Sequence, residues 1–403
     1  MLSSLFAGIS GLNANSNAMA VIGDNIANVN TNGFKRSTMS FANILSQSSS
    51  GYTGNEIGRG VTMSDITAQM NQGSLETTQS ATDLAILGQG FFMVKDPADV
   101  SFYTRAGEFK FDRDGYLIDN NEMVVQGWDM STIVGTGGTL TDIVIPNGGN
   151  TAASATEEMT IRLNLDTAAA VGDAYSSSIT VFDSLGNEVP LTITFTKAAG
   201  GWDWAPDIPA TSGTVAGGGT LTFDADGNLT VAADETITLT LLSGATSPQD
   251  IDWDLVDDAG DTNNDVTGYS SPSATTFQSQ DGYSAGQLQT LNIDDSGIIT
   301  GVYSNGQTKP LFQIAVATFP SSWGLTKKGG NLYSESLNSG QPLVGTAGDG
   351  VFGSINSKSL EMSNVDLAAE FVNLITTQRA FQANSRVITA SDEILTELIN
   401  IKR

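Results

Sequence analysis

The chain has 403 residues, 17 Lys and Arg against 44 Asp and Glu for a formal charge of -27, and neither Cys nor His. That composition excludes disulfides, Cys/His metal centres and catalysis by imidazole or thiolate, leaving carboxylates, Lys or Ser nucleophiles and oxygen-ligated cations. So negative a chain repels nucleic-acid phosphates and anionic lipid, so no nucleic acid and no membrane is expected as a partner.

Such a length calls for about two to four domains. In chain order, the first predicted element is a helix. Leu2, Leu5, Ile9, Leu12, Ser16, Met19, Gly23 and Ile26 recur at steps of three and four, the seam of a coiled coil. No cation precedes Lys35, so the positive flank of a secretory signal peptide is missing. That fits a cytoplasmic protein, while absent Cys with abundant Gly, Ser, Thr and Asn, common in extracellular bacterial assemblies, slightly favours the alternative of export by a route without a cleaved signal.

Short β-rich runs follow at 91–94, 102–104, 109–111, 116–118 and 123–128. One turn recurs in Phe111-Asp-Arg-Asp-Gly-Tyr-Leu117, Phe223-Asp-Ala-Asp-Gly-Asn-Leu229 and Ile293-Asp-Asp-Ser-Gly-Ile-Ile299. Each places Gly where a hairpin needs positive φ and Asp where a carboxylate can accept backbone hydrogen bonds. Strand signals resume at 159–165, 179–182, 191–196, 237–242 and 312–319. Gly/Thr/Ser-rich stretches at 131–158 and 262–280 read as crossings into and out of an inserted domain.

The acidity belongs to that middle. Between Leu163 and Thr308 the one basic residue is Lys197, against about twenty acids that include Asp250, Asp252, Asp254, Asp257, Asp258, Asp261 and Asp265. The last predicted element is again a helix, with Leu367, Phe371, Leu374, Gln378, Phe381, Ser385, Ile388, Asp392, Leu395 and Ile399 at heptad steps. Ser363 with Asp366 supplies an N-cap signature, and Lys402 and Arg403 suit the C-terminal end of the dipole. Complementary stripes at opposite termini imply an antiparallel pair that packs against copies of itself.

Candidate chemistry is weak. Asp-x-Asp-Gly lacks the later oxygen ligands of a calcium loop, and Gly88-x-Gly90 has no third Gly and no βαβ context. Carboxylates near Trp202, Trp204 and Trp253 match a glycosidase only by abundance, and alternating tryptophans are packing residues first. The expectation is a chain without catalytic residues, cofactor or metal, against the competing class of an extracellular calcium- or carbohydrate-binding β protein.

Three stretches resemble one family. Val21-Ile-Gly-Asp-Asn-Ile-Ala-Asn-Val-Asn-Thr-Asn-Gly-Phe-Lys35 is similar to the N-terminal signature of the axial proteins of the bacterial flagellum, its rod, hook and hook-associated subunits. Asp83-Leu-Ala-Ile-Leu-Gly-Gln-Gly-Phe-Phe92, with Tyr103-Thr-Arg-Ala-Gly-Glu-Phe109 and Val125-Gln-Gly-Trp128, resembles their β segment. Ser363-Asn-Val-Asp-Leu367 and Thr377-Gln-Arg-Ala-Phe-Gln-Ala-Asn-Ser385 resemble their C-terminal signature. The signature positions here are Asn25, Asn28, Gly33, Phe34, Lys35, Gly90, Phe91, Phe92, Asn364, Asp366, Gln378, Arg379 and Asn384. The length and the acidic middle set the chain apart from distal rod members, which lack a large central insertion.

The resemblance implies an α+β multidomain fold: a terminal α-helical coiled-coil pair plus two mainly antiparallel β domains nested by insertion. The expected domains are 1–26 with 366–403 as the inner coiled coil, 27–75 with 357–365 as a connecting segment, 76–150 with 283–356 as a β domain, and 151–282 as the acidic outer β domain. It also implies homopolymerisation into a curved, torque-transmitting tube in the extracellular part of the flagellum. The implied partners are the chain itself, the distal rod protein, the hook cap protein, the hook–filament junction protein and the flagellar type III export apparatus. The self-assembly seam would be Leu2, Leu5, Ile9, Leu12, Met19, Ile26, Leu367, Phe371, Leu374, Phe381, Ile388, Leu395 and Ile399. Phe41 and Leu45 have the spacing that the export gate reads in relatives.

Overall fold

The computed structural model describes residues 2–45, 47–48, 56–130, 138–145, 149–230, 234–256 and 265–401. Asp257, Asp258, Asp261, Lys402 and Arg403, and the side chains of Leu2 and Ile399, lie outside the described residues. The chain forms two compact units, Met1–Asn147 with Leu291–Gly301 and Lys309–Arg403, and Gly148–Thr290 with Val302–Thr308.

The first unit holds both helices, α1 (Leu2–Ala27) and α2 (Leu367–Ile401). They run antiparallel, with Ser4 Oγ 3.5 Å from Ser391 Oγ, Gly8 against Ile388 and Gly11 against Asn384. The buried positions of α1 are Gly8, Gly11, Ala14, Ala18, Ile22 and Asn25. The less exposed positions of α2 include Glu370, Leu374, Thr377, Phe381, Asn384, Ile388, Ser391 and Leu395, again at steps of four and three.

On α1 the contact stripe therefore lies one residue ahead of the stripe formed by Leu5, Ile9, Leu12, Met19 and Ile26, of which none is fully buried. On α2 it keeps Leu374, Phe381, Ile388 and Leu395 but leaves Leu367 and Phe371 exposed. The reason is distance. A Cβ added at Gly8 would lie 3.1 Å from Ile388 Cγ1, and one at Gly11 2.8 Å from Asn384 Nδ2, so small residues let the two backbones approach. The side chains at a helix contact set the interaxial separation, and bulky ones would hold the pair apart. The N-cap of α2 is Asp366 itself, whose Oδ1 accepts the Ala368 and Ala369 amides at 2.9 and 3.2 Å. Ser363 Oγ reaches only the Val365 amide, at 3.4 Å, so it is not the cap.

The remainder of the first unit is β. The hairpin Phe91–Lys95 and Ser101–Thr104 is flanked by Val124–Asp129, which pairs antiparallel with residues 312–314 of the long strand Thr308–Thr318. Leu84, Ile86, Phe92, Val94, Leu117, Val125, Ile314 and Val316 are fully buried beneath these strands. Phe91, Tyr103, Phe319 and Tyr333 form an aromatic cluster with centroids 4.8–6.0 Å apart in edge or tilted geometry, the arrangement that suits ring quadrupoles. Leu84–Leu87 pairs with Ser354–Ser357, and Leu75–Thr77 with Ser359–Glu361.

The second unit is a sandwich of a six-stranded and a four-stranded sheet over one core. Glu188–Ala198 alternates buried and exposed residues along most of its length, as a one-sided sheet requires. Most pairs are antiparallel, but Glu158–Asn164 lies parallel to Gln249–Trp253 and to Val266–Thr267. Trp204 and Trp253 meet across the sheets edge to face at 5.3 Å. Both are buried, as is Trp202, which removes them as a sugar platform.

The recurring turn is commoner than the sequence suggests. Asp96, Asp112, Asp119, Asp183, Asp224 and Asp294 each accept the amides two and four residues on through one carboxylate oxygen, at 2.7–3.0 Å. The residue three on has positive φ in every copy: Gly115, Gly186, Gly227 and Gly297 in four, Asp99 and Glu122 in the others. Each carboxylate is thus engaged by its own backbone.

Two outcomes follow from this packing. Gly8→Leu forces Ile388 aside, and overpacking of about 1–3 kcal/mol should lower the hydrogen-exchange protection of both helices while leaving the sandwich unchanged. Burial alone would raise the Asp183 carboxyl, but hydrogen bonds from Asn187, Ser243 and the Asn187 and Leu185 amides outweigh it and hold it below its ordinary 3.8. Its contribution is therefore complete above 3.8 and lost as pH falls through the lower folded value. Asp183→Ala, which strands these donors, should cost about 2–3 kcal/mol in urea unfolding of the sandwich, and Asp183→Asn should flatten its acid limb.

Candidate assembly surface

The signature residues of the two chain ends converge in the first unit. Asn25, buried at the end of α1, donates from Nδ2 to the Ser37 carbonyl and accepts the Ser37 amide, both at 2.8 Å. Gly33 has φ +69°, and a Cβ there would stand 2.5 Å from the Ala106 amide nitrogen, so both conformation and space require glycine. Its amide donates to the Glu361 carbonyl at 2.6 Å. Asn364 accepts the Arg36 amide at 2.8 Å and donates to the carbonyls of Gln69 and Asn71.

At the centre are three buried charges. Lys35 Nζ lies 2.5 Å from Glu361 Oε1 and 2.8 Å from the Asn71 carbonyl. Arg105 Nη1 lies 3.2 Å from Glu361 Oε2, and its Nη2 donates to the Gly88 carbonyl at 2.8 Å. The Gly73 amide also donates to Glu361 Oε1. Burial pulls the Lys35 ammonium and the Arg105 guanidinium below their ordinary values, with Glu361 opposing in both. Tyr333 is pushed up to about 12, chiefly by burial. Beside the cluster Lys327, lowered by burial, donates to Ser37 Oγ at 2.8 Å and stands 5.3 Å over the Phe34 ring. A further pair joins Arg36 to the buried Glu370 on α2 at 3.4 Å.

Of these groups, the sequence pattern pointed to Lys35 but not to Arg105, Glu361 or Glu370. Arg105 falls inside the β signature, and Glu361 sits two residues before Ser363, so a lone charge amid strand residues was the available signal. The other signature positions are spread more widely. Gly90 precedes Phe91 and Phe92 in the hairpin core, and Asn384 faces Gly11. Asn28 closes the end of α1 on Asp24, and Gln378 and Arg379 are exposed on α2.

Several bulky apolar residues of the helices point away from the helix contact. Phe6 is 63% exposed, Phe371 50%, Val372 61% and Ile375 49%, with Ile9, Leu367, Val387 and Ile394 also exposed. A second uncovered surface is the ribbon Ser37–Asn43 with Val61–Ala68, which carries Phe41, Met63 and Ile66. Phe41 is 48% exposed, and Leu45, just beyond the strand, 86%.

In the second unit the acids meet backbone and hydroxyl donors. Asp250 and Asp252 accept Thr238 and Thr236, and Asp265 pairs with Arg162 at 2.9 Å. A recess lined by Glu157, Glu158, Asp234, Asp252, Asp254 and Asp281 uses Asp234 and Asp281 to hold backbone amides. Among the described residues no group of three or more acids is arranged to hold a metal ion.

Residues 5–35 match the model of the flagella basal body rod protein family, and 356–401 that of the flagellar basal body rod FlgEFG protein C-terminal region. Between them, 85–164 match the flagellar hook protein FlgE/F/G D1 domain and 164–283 the flagellar basal body protein FlaE D2 domain. The flagellar hook protein FlgE of Borreliella burgdorferi is 34% identical over the whole of both chains, and that of Escherichia coli 34% over 98% of each. The crystal structure of the Helicobacter pylori flagellar hook protein FlgE2 shares the fold, with a TM-score of 0.56 over 71% of this chain and 100% of that one, at 17% identity.

Proposed function

The chain belongs to the flagellar hook protein family, and we infer that it is the structural subunit of the bacterial flagellar hook, a helical homopolymer forming a curved, bendable tube that carries motor torque from rod to filament. The observation that carries this reading is the uncovered apolar face of the terminal helices. Small residues of α1 face α2, while Phe6 of α1 and Phe371, Val372 and Ile375 of α2 face outward. An isolated helix pair so arranged leaves about 25 cal/mol unrealised for each Å² of apolar surface left wet. Copies of the same pair supply the cover. Contacts that repeat head to tail without closing generate a helical polymer, and this surface is its assembly seam.

The role is mechanical and not catalytic. The acidic sandwich, hydrated and weakly apolar outside, suits contacts that neighbours exchange as the tube bends. The distal rod protein, the hook cap protein and the hook–filament junction protein are its neighbours along the axis. The chain reaches that position unfolded, through the flagellar type III export apparatus and without a cleaved signal, the gate reading Phe41 and Leu45.

Phe371→Asp combined with Ile375→Asp should leave monomer stability within about 0.5 kcal/mol yet abolish hooks in electron micrographs and motility on soft agar; normal hooks would refute the seam. Phe41→Ala with Leu45→Ala should cut secretion into the medium several-fold with little change in the melting temperature of purified subunits, and unchanged secretion would remove the gate assignment.

A further inference from the structure

We propose that Lys35, Arg105 and Glu361 form a folding latch that makes closure of the first unit's β core conditional on docking of the segment 354–364. Glu361 is separated from Lys35 by 326 residues and from Arg105 by 256, yet its side chain has no exposed surface and meets both cations. The strands Ser354–Ser357 and Ser359–Glu361 bring it in by pairing with Leu84–Leu87 and Leu75–Thr77. The Gly33 and Gly73 amides then close on the Glu361 carbonyl and carboxylate.

Before that segment docks, Lys35 has the Asn71 carbonyl and Arg105 the carbonyls of Gly88 and Ile86. Two cations would then be buried with no anion, and Arg105 Nε lacks a partner even in the closed cluster. Removing the anion from a buried pair costs far more than removing the pair, because an uncompensated charge is left in a medium that solvates it poorly. The early segments therefore remain open until the late one supplies its carboxylate. For a chain that travels unfolded, as inferred above, this device would defer folding until both ends are free; the latch stands on the geometry alone and is tested apart from that reading.

The test is hydrogen exchange on purified full-length monomer. Glu361→Gln, close in shape but uncharged, should lower protection at 33–37, 72–77, 84–88 and 103–107 together by about two to three orders of magnitude, with the sandwich unaffected. Lys35→Met, which leaves Arg105 and Glu361 balanced, should lose less. Lys35→Met combined with Glu361→Gln restores the native excess of one cation and should regain at least about tenfold over Glu361→Gln alone, a coupling readable as a double-mutant cycle. Loss confined to 359–364, or a double variant no better protected than Glu361→Gln, would overturn the latch. Should Glu361→Gln fail to fold, the triple variant Lys35→Met, Arg105→Met and Glu361→Gln, which buries no charge in the cluster, decides: a folded one supports the latch and an unfolded one refutes it.

Discussion

A carboxylate with no exposed surface fixes where the two ends of this chain meet. Glu361 takes Lys35 from the N-terminal side and Arg105 from the β core, and its own carbonyl takes the amide of Gly33. The rest of the first unit is hung on this point. Asn25 ties the end of α1 to Ser37, two residues past Lys35, and α2 begins six residues past Glu361, at Leu367. The register in which Gly8 meets Ile388 and Gly11 meets Asn384 is thus set from one end of the helix pair by a polar joint, with side-chain volume refining it along the length.

This division explains why the helices can be apolar on the wrong side. A coiled coil held by its own seam must bury its large residues between its strands. Here the joint holds the helices in place, and the seam needs only to be narrow. Large side chains are left exposed on the outer face of the helices, while most of the charge stays on the sandwich. The two surfaces differ in what they expose: the helices present apolar side chains with little charge, the sandwich presents carboxylates.

The helices, their antiparallel pairing and the β character of the middle were legible because each is written in a periodicity or a turn signal that neighbouring residues carry. What was not legible depends on distance in three dimensions. Leu5, Ile9 and Phe371 look like a seam because they are apolar, whereas Gly8 and Gly11 form the contact because they are small, and hydropathy does not register closeness. Asp366 and Ser363 both read as caps, and only the path of the chain decides that Asp366 accepts the amides. Glu361 and Arg105 gave no local sign of their importance, since a buried ion cluster assembled across hundreds of residues leaves no pattern within any window. The turns at Asp96 and Asp119 lack the glycine signal because Asp99 and Glu122 occupy the left-handed position, and the Asp183 turn, with Gly186 there, lacks the second acidic or polar residue before the glycine that marks the other three.

Those six aspartate turns carry a consequence for tempo. Each closes a loop of five residues with its own carboxylate, and loops of about ten residues already close within roughly 10–100 ns. Sequence separation is therefore very short at these six turns and very long where the chain ends meet, at Lys35 with Glu361 and at Gly8 with Ile388. Since rates follow sequence separation, the hairpins form and re-form quickly at any point along the chain. The slow step is the meeting of the chain ends, and it needs no disulfide to reshuffle in a chain without cysteine.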